Sequence, residues 1–376
     1  MTRAWRLIAA AAALLLVASL AGCGGSGKPA GSTTAGTGST GGPPAGGPQA
    51  GGPQSGGGNC ARTSVGFTPL SDLGHGRYHG YQGGLYPGGS DTPPSSYLDA
   101  GLAAARRVRP LAADGTPSPS GKIVLLSIGM SNTSREFTGF IRVAARDHAL
   151  GPGPILRKPG SEGQGLLRRI HESEVAMLLQ NQHVMLVNGA FPNVDAEAMV
   201  HNESSYLGIL HTYLNDAGVS ADQVQAVWLD EAIANEHEPF PADAQRLERD
   251  LSTIIAMLTA HFPNLRLLYI SSREYAGYAV SPINPEPYAY DSGFAVKWTV
   301  AARLADPAAR PWVAWGPYTW ADGTHPRSDG LTWSCTDFRP DGTHPSPQGA
   351  EKVGRLLLNF FTTDPTTRSW FDGTSH

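Results

Sequence analysis

The pentapeptide Asp-Gly-Thr-His-Pro occurs twice in the chain, at residues 322–326 and at residues 341–345. In each copy an aspartate precedes a histidine by three residues, so the carboxylate can reach the imidazole within one turn of chain. A histidine oriented by a carboxylate can take the proton of a serine hydroxyl, which is otherwise a weak nucleophile. Each copy is therefore half of a candidate catalytic triad, and the nucleophile lies elsewhere.

Ser131 is the candidate nucleophile because it follows an apolar run of buried-strand type, KIVLLSI at residues 122–128. The segment GMSN at residues 129–132 then turns into a helix. In a parallel α/β sheet, active sites lie at the carboxyl ends of the strands. Ser131 is expected at that edge, with its backbone N–H near a helix N-terminus, where anions are favoured. An ordinary helix-capping serine would fit the same position equally well.

Two further strand ends carry candidate oxyanion donors. Gly189 ends the second apolar run, HVMLVNG, and a glycine there lets a backbone N–H point into a site. A simple turn glycine is the plainer interpretation of that position. Asp230 and Glu231 follow the third run, VQAVWL, and form an acidic pair where a polar donor is expected.

The second pentapeptide is favoured over the first as the catalytic copy. It is followed by Ser346-Pro347, a good helix start, and by an amphipathic helix over residues 346–361. The first copy is followed by RSDGLTWSCTDF, which has no clear periodicity and is typical of a loop. The sequence therefore predicts that Asp341 and His344 act with Ser131, and that Asp322 and His325 do not.

The elements that position these residues alternate between strand and helix. This alternation predicts one large α/β domain with a mostly parallel sheet and helices on both faces. The predicted strands are 122–128, 183–189, 224–229, 265–271 and 311–315, and the predicted helices are 95–108, 133–146, 204–218, 241–262, 292–305 and 346–361. Thr133 and Glu136 are spaced as a capping box, and Gly218 has a C-cap position.

The N-terminal residues predict export. Arg3 and Arg6 precede a short apolar run, as in a secretory signal over residues 1–22. The segment LAGC is similar to the lipobox of bacterial lipoproteins, so Cys23 is the expected lipid attachment site; a plain signal peptide is the alternative. Residues 23–59 are rich in Gly, Pro and Ser and predict a flexible tether. The domain over residues 60–376 would then be lipid-anchored on the extracytoplasmic side of the cell membrane.

Charge and cysteine usage agree with this location. Removing the two arginines of the signal from a net charge of −4 leaves −6, with no basic stripe, which disfavours nucleic acid as a partner. Once Cys23 carries lipid, Cys60 and Cys335 remain. An even pair in an oxidising compartment predicts a disulfide, and two free thiols are the alternative.

The order of these features resembles the SGNH/GDSL hydrolase superfamily, over residues 122–361. Ser131 matches the nucleophile, Gly189 the glycine of the second block, and Asp341 and His344 the fifth block. The stretches LLSIGMSNTS, VWLDEA, SGFAVKW and DGTHPSPQGAEKV further resemble an uncharacterised bacterial branch of it. The resemblance implies a flavodoxin-like α/β/α sandwich and ester hydrolysis through an acyl-enzyme, without metal or cofactor.

The chain departs from the family pattern at two positions. Met130 stands where the motif has aspartate, which removes a polar group near the nucleophile. The third-block asparagine, an oxyanion donor, is absent, and Glu231 is the closest match to its position. Losing one such donor costs about 2.7–4 kcal/mol in other enzymes. A protonated Glu231 would donate like an amide, whereas a carboxylate that points away would leave Ser131 and Gly189 as the donors.

Three functions compete at this point. The leading hypothesis is a serine esterase that removes small acyl groups, such as O-acetyl, from carbohydrates. The alternative is a non-catalytic binding lipoprotein on the same scaffold, which Met130 and the missing asparagine favour. A metal hydrolase is disfavoured because the histidines lack metal-ligand spacing: His171, His201, His211, His237 and His261.

Overall fold

The computed structural model describes residues 58–146, 155–157, 174–178, 181 and 183–372. The predicted signal sequence, Cys23, His171 and all but the last two residues of the predicted tether lie outside the described residues. The boundaries of the signal, tether and domain therefore remain predictions. Among the described residues, no helix combines the length and apolar character that a membrane crossing requires.

The described strands form a two-stranded ladder and a seven-stranded sheet. They are β1 (Arg77–Tyr78), β2 (Tyr81–Gln82), β3 (Ile123–Gly129), β4 (Ile155–Arg157), β5 (Glu174–Leu178), β6 (Val184–Asn188), β7 (Val224–Asp230), β8 (Leu267–Ser271) and β9 (Trp312–Trp315). The described helices are α1 (Leu70–Leu73), α2 (Ser95–Ala105), α3 (Ser131–Arg146), α4 (Ala196–His201), α5 (Glu203–Asp216), α6 (Ala242–His261), α7 (Tyr288–Leu304), α8 (Pro347–Thr363) and α9 (Arg368–Phe371).

The strand order of the large sheet is β4-β5-β6-β3-β7-β8-β9. Strands β6, β3, β7, β8 and β9 are mutually parallel, while β4 and β5 extend the β6 edge in antiparallel pairing. Counted in chain order, the parallel strands have the flavodoxin-like order 2-1-3-4-5. After β3 the chain forms β6 on one side of β3, and it then crosses to form β7 on the other side of β3. The predicted α/β fold with a mostly parallel sheet is confirmed.

The continuous apolar runs form buried strands, as their composition requires. Every residue of β3, β6, β7, β8 and β9 is buried. Strands covered on both faces cannot alternate apolar and polar residues, because either side chain direction leads into the core. All five predicted strands are therefore found, within a few residues of their predicted ends.

Helix α3 begins two residues earlier than predicted, at Ser131. The predicted capping box is wrong, because both of its members lie in the interior. The Thr133 hydroxyl donates to the backbone oxygen of Asp230 (2.5 Å), and Glu136 is 1% exposed. Gly218 does follow the end of α5 with a φ of 71°, as its predicted cap position requires.

Residues 58–66, here called the N-terminal strap, lie along the edge of the late loops. The predicted disulfide is confirmed: Cys60 in the strap bonds Cys335, with the two Cα atoms 5.3 Å apart. The N–H of Asn59 donates to the Tyr278 carbonyl (2.9 Å), and the Tyr275 hydroxyl donates to the Arg62 carbonyl (2.7 Å). The strap is thus fixed to the domain by a covalent bond and by buried aromatic residues.

Candidate active site

Ser131 lies at the junction of β3 and α3, which the backbone of Gly129 makes possible. Gly129 has a φ of 152°, and a Cβ there would overlap the Asp230 carbonyl and the Thr133 side chain. Only glycine fits so close to the neighbouring strand. The chain therefore turns directly from the central strand into the helix, and Ser131 becomes the first helical residue at the carboxyl edge of the sheet.

The structure brings the three predicted triad residues together. The Ser131 Oγ lies 2.9 Å from the Nε2 of His344, and the His344 Nδ1 lies 2.8 Å from the Oδ2 of Asp341. A carboxylate at Nδ1 fixes the proton on that nitrogen and leaves Nε2 as the acceptor for the serine hydroxyl. The arrangement is the one that proton transfer from Ser131 to His344 requires.

Asp341 is held as an anion by its own loop. Burial alone would raise the pKa of Asp341, but the backbone N–H groups of His344 and Thr343 and the His344 imidazole together lower it. Both N–H groups donate to Oδ1 at 2.9 Å, which leaves Oδ2 for the imidazole. The loop thus keeps a negative charge beside Nδ1, where a positive charge develops when the histidine accepts a proton.

The first pentapeptide does not line the groove and instead binds the N-terminal strap. Its His325 side chain is 68% exposed, and Nδ1 lies 3.3 Å from Asp322. The Asp322 carboxylate is instead occupied by the N-terminal strap: the Ser64 hydroxyl (2.5 Å) and the N–H of Val65 (2.7 Å) donate to it. The structure does not bring His325 to Ser131.

Two helices in close contact hold the two halves of the triad together. Ser131 begins α3, and His344 stands three residues before α8. A Cβ at Gly139 of α3 would overlap the Ala350 carbonyl of α8, and one at Gly354 would lie 2.6 Å from the Gly139 carbonyl carbon. The helix backbones touch because neither glycine carries a side chain. This contact fixes the position of the histidine loop relative to the nucleophile.

A groove of 440 Å³ opens over Ser131 and His344. Its walls come from one face of α3, from the loop after β6 and from the segment around the start of α8. The lining residues are Ser131, Ser134, Arg135, Thr138, Arg142, Pro192, Asn193, Arg339, His344, Pro345, Ser346, Pro347 and Ala350. Ser131 is half-buried at one side of this groove.

Gly189 and Glu231 are not among the residues that line this groove. A Cβ at Gly189 would lie 2.7 Å from the Ser127 carbonyl and 2.8 Å from the Leu210 side chain, so close packing explains this glycine. The Glu231 side chain is 1% exposed, and its Oε1 accepts the N–H of Ala232 at 3.0 Å. Their predicted roles as oxyanion donors stay predictions.

Burial raises the pKa of Glu231 well above its ordinary value, with a smaller contribution from the charge of Asp230. Glu231 Oε2 has no hydrogen-bond partner among the described residues. A raised pKa favours the protonated form of this carboxyl group, which carries a proton that it can donate. The first of the two alternatives for Glu231, a protonated carboxyl group, is therefore favoured, although the group lies outside the groove lining.

Sequence reasoning missed Asn193, Arg135 and Arg339, which do line the groove. Asn193 follows Pro192 in the loop after β6 and has a φ of 67°. Its exposed side-chain amide adds a hydrogen-bond donor to the groove lining. The signal for Asn193 was its place after a predicted strand; the signal for Arg135 was its spacing of one helical turn from Ser131.

A buried polar network supports the site from below. The Asn132 amide donates to the Thr343 carbonyl (2.9 Å) and to the Glu274 carboxylate, and Arg273 lies 3.5 Å from Glu274. Burial raises the pKa of neighbouring Asp230 to about 7, against the opposing effect of the Arg273 guanidinium. Asn132, the residue after the nucleophile, thus connects the start of α3 to the loop that carries the histidine. Within the described residues, no group of three or more His, Cys, Asp or Glu side chains is arranged to hold a metal ion.

No family model matches the chain, and no curated protein sequence matches it. Solved structures do. A candidate SGNH hydrolase from Slackia heliotrinireducens is 13% identical with a TM-score of 0.31, over 64% of this chain and 99% of that one. The periplasmic domain of the Salmonella ser. Paratyphi A lipopolysaccharide acetyltransferase is 11% identical with a TM-score of 0.33, over 70% and 95%.

A Bacillus subtilis protein is also similar, at 11% identity and a TM-score of 0.33, over 66% of this chain. The match spans 58% of the Bacillus subtilis chain. At such identities the similarities concern the fold alone. The resemblance to the SGNH/GDSL hydrolase superfamily therefore stays an expectation from the sequence motifs.

Proposed function

We propose that this protein is a serine hydrolase that cleaves esters through an acyl-enzyme at Ser131, with O-acylated carbohydrates as its substrate class. The observation that carries the proposal is the continuous chain from Ser131 Oγ to His344 Nε2 (2.9 Å) and from His344 Nδ1 to Asp341 (2.8 Å). A binding module has no need of a hydroxyl, a base and an orienting carboxylate in line, which weighs against the non-catalytic alternative.

Each half of the proposed reaction has two proton transfers. His344 takes the proton of Ser131 as the hydroxyl oxygen attacks the ester carbonyl, and Asp341 stabilises the resulting imidazolium. When the tetrahedral intermediate collapses, His344 gives that proton to the departing alcohol and the acyl group stays on Ser131. A water molecule then repeats the sequence and releases the acid. The N–H of Ser131 at the start of α3 and the Asn193 amide are the proposed donors to the oxyanion.

The experiment that tests the proposal pairs probe labelling with an ester panel. Wild-type protein should react with a fluorophosphonate probe and hydrolyse short acyl esters faster than long ones, and Ser131→Ala should abolish both. Ser64→Ala is the matched control, because Ser64 stands beside the aspartate of the other pentapeptide. Labelling that survives in Ser131→Ala, or absent turnover of every ester by wild type, would contradict the proposal.

The proposed location is the outer face of the cell membrane, through a lipid on Cys23. The Cys60–Cys335 disulfide supports an oxidising compartment, where such bonds persist. The lipid itself is tested with Cys23→Ser: the variant should move from the membrane fraction to the soluble extracytoplasmic fraction. Unchanged membrane retention would contradict the anchor and leave the hydrolase proposal intact.

A further inference from the structure

The groove over Ser131 follows one face of helix α3. Ser131, Arg135, Thr138 and Arg142 are spaced at 0, 4, 7 and 11 residues, so their side chains lie in one row along the helix. Eleven residues of helix span about 16 Å. The groove is therefore long relative to the single ester bond that is cleaved. The α3 face of the groove is a row of basic and hydroxyl side chains.

The charge of this groove is opposite to that of the protein. Three guanidinium groups line it, from Arg135, Arg142 and Arg339, while the described lining includes no Asp or Glu. The whole chain has a formal net charge of −4. Residues at the N-termini of α3 and α8 both line the groove, and each helix dipole adds partial positive charge there. A positive groove on a negative protein favours a negatively charged ligand.

Arg135 is the most informative of the three arginines. Its side chain is half-buried, and its Nε is buried without a hydrogen-bond partner among the described residues. Burial and the neighbouring Arg339 guanidinium lower the pKa of Arg135, with only Asp341 acting against them. Two cations placed side by side repel each other, and an anion bound between them would relieve that repulsion.

Stabilisation of Asp341 does not account for Arg135. The Asp341 carboxylate already accepts the His344 imidazole and the N–H groups of Thr343 and His344, at 2.8, 2.9 and 2.9 Å. Among the described residues, no carboxylate accepts a hydrogen bond from Arg135, so its guanidinium, one helical turn from Ser131, is available to a substrate.

We infer that the substrate is an acidic glycan: a polymer whose carboxylate or phosphate groups lie along the α3 face while Ser131 attacks an O-acyl ester on the same chain. Arg135 and Arg339 bind the acidic group nearest the ester, and Arg142 faces the next part of the polymer. This inference rests on the proposed function and adds the charge of the substrate to it.

Binding tests the inference without any need for turnover. Titration calorimetry of the Ser131→Ala protein would compare unacetylated polygalacturonate, inorganic polyphosphate and neutral xylan. The acidic polymers should bind and xylan should not, with affinity falling as salt is added. Arg135→Gln and Arg339→Gln should each weaken acidic binding about tenfold, the size of one charged hydrogen bond. The stronger of the two acidic ligands identifies the group as carboxylate or phosphate.

Turnover gives a second, independent measurement. Wild type should have a higher kcat/KM on acetylated polygalacturonate than on acetylated xylan, and the ratio should fall about tenfold in Arg339→Gln. Arg339 is exposed, so this variant keeps the test valid if Arg135→Gln fails to fold. Arg355→Gln is the control: Arg355 pairs with Glu351 on α8 outside the groove and should leave the ratio unchanged.

Two failures are distinguishable. If the Ser131→Ala protein binds xylan as tightly as the acidic polymers, or if both arginine variants keep wild-type binding, the acidic-glycan inference is overturned whatever the enzyme hydrolyses. If acidic polymers bind as expected but no ester is cleaved and Ser131 is not labelled, the hydrolase proposal fails and the groove remains an acidic-glycan site.

Discussion

The two Asp-Gly-Thr-His-Pro segments have the same sequence and nearly the same local geometry, yet different surroundings. In both, the glycine has a positive φ (58° at Gly323 and 66° at Gly342), and the histidine Nδ1 faces the aspartate. The His325 side chain is 68% exposed, whereas that of His344 is 22% exposed and meets Ser131.

The difference lies in what each aspartate holds. Asp322 accepts hydrogen bonds from Ser64 and Val65 and so fixes the N-terminal strap. Among the described residues, the donors to Asp341 come from its own loop, and Asp341 orients His344 toward Ser131. A pentapeptide of this kind provides an oriented imidazole; whether it becomes part of a triad depends on the element packed next to it.

The largest expected effect separates the two histidines. His344→Ala should lower kcat roughly 10²–10⁴-fold, because the general base is lost. His325→Ala should leave kcat near the wild-type value, because its imidazole is directed to solvent. The measurement is steady-state hydrolysis of one short acyl ester by both variants. A large loss in His325→Ala and a small one in His344→Ala would reverse the assignment of the two segments.

Substitution of the two aspartates should give opposite patterns. Asp341→Asn should lower kcat about 10⁴-fold through loss of the correct imidazole tautomer, with little loss of stability. Asp322→Asn should lower the free energy of unfolding by about 2 kcal/mol, because charged hydrogen bonds to the strap are lost, and should spare kcat. Urea unfolding and kinetics on both proteins check this. Equal effects on kcat would show that the segments are not functionally distinct.

The strap contacts both segments, since Gly58 lies against Gly342 while Ser64 bonds Asp322. Replacing Cys60 and Cys335 together by serine removes the bond that closes this strap on the domain. The free energy of unfolding should fall by about 2–5 kcal/mol, as for other native disulfides. Activity at low temperature should persist, because the triad is held by α3 and α8. Loss of activity in a folded double variant would mean that the strap also positions His344.

The smallest expected effect concerns Glu231. A carboxyl group whose pKa is raised by folding stabilises the protein below the ordinary value near 4.5, and this contribution is lost as the pH rises. Glu231→Gln should therefore raise the free energy of unfolding at pH 8 more than at pH 5. Because Glu231 lies outside the groove lining, kcat/KM should change far less than the 10²–10³-fold that loss of an oxyanion donor costs. A loss of that size would show that the Glu231 carboxyl group donates to the oxyanion formed at Ser131.

Much of the fold could be predicted because its parallel strands are continuous apolar runs. Such runs are typical of strands that are buried on both faces. The catalytic segment was predicted from the helix that comes after it, because Ser346 and Pro347 form a recognisable helix start. The predicted start of α3 was wrong because Thr133 and Glu136 resemble a cap locally, and only the packing of β7 shows that they are interior. Strands β1, β2 and β4 were not predicted because each has only two or three residues. Strand β5 was not predicted either, because it pairs antiparallel with β6 and lies outside the strand–helix alternation.

The groove was the hardest part to predict from sequence. Arg135 and Arg142 are ordinary polar residues on an amphipathic helix until α8 and the Arg339 loop are placed beside them. The spacing of Ser131, Arg135, Thr138 and Arg142 was visible, but a polar row on a helix usually faces solvent. Gly189 and Glu231 were predicted to belong to the site but do not line the groove. A position after a strand predicts the correct edge of the sheet, but it does not predict which side chains reach the groove.

The glycine contact between α3 and α8 has a consequence for how the protein opens. Helices whose backbones touch at Gly139 and Gly354 cannot separate without exposing both, so they should exchange their amide hydrogens as one cooperative unit. Ser131 begins one of these helices and His344 immediately precedes the other. A local fluctuation that released one catalytic residue would release both. Heating should therefore remove activity and helix protection in a single step, with no partly active species between the native and the opened protein.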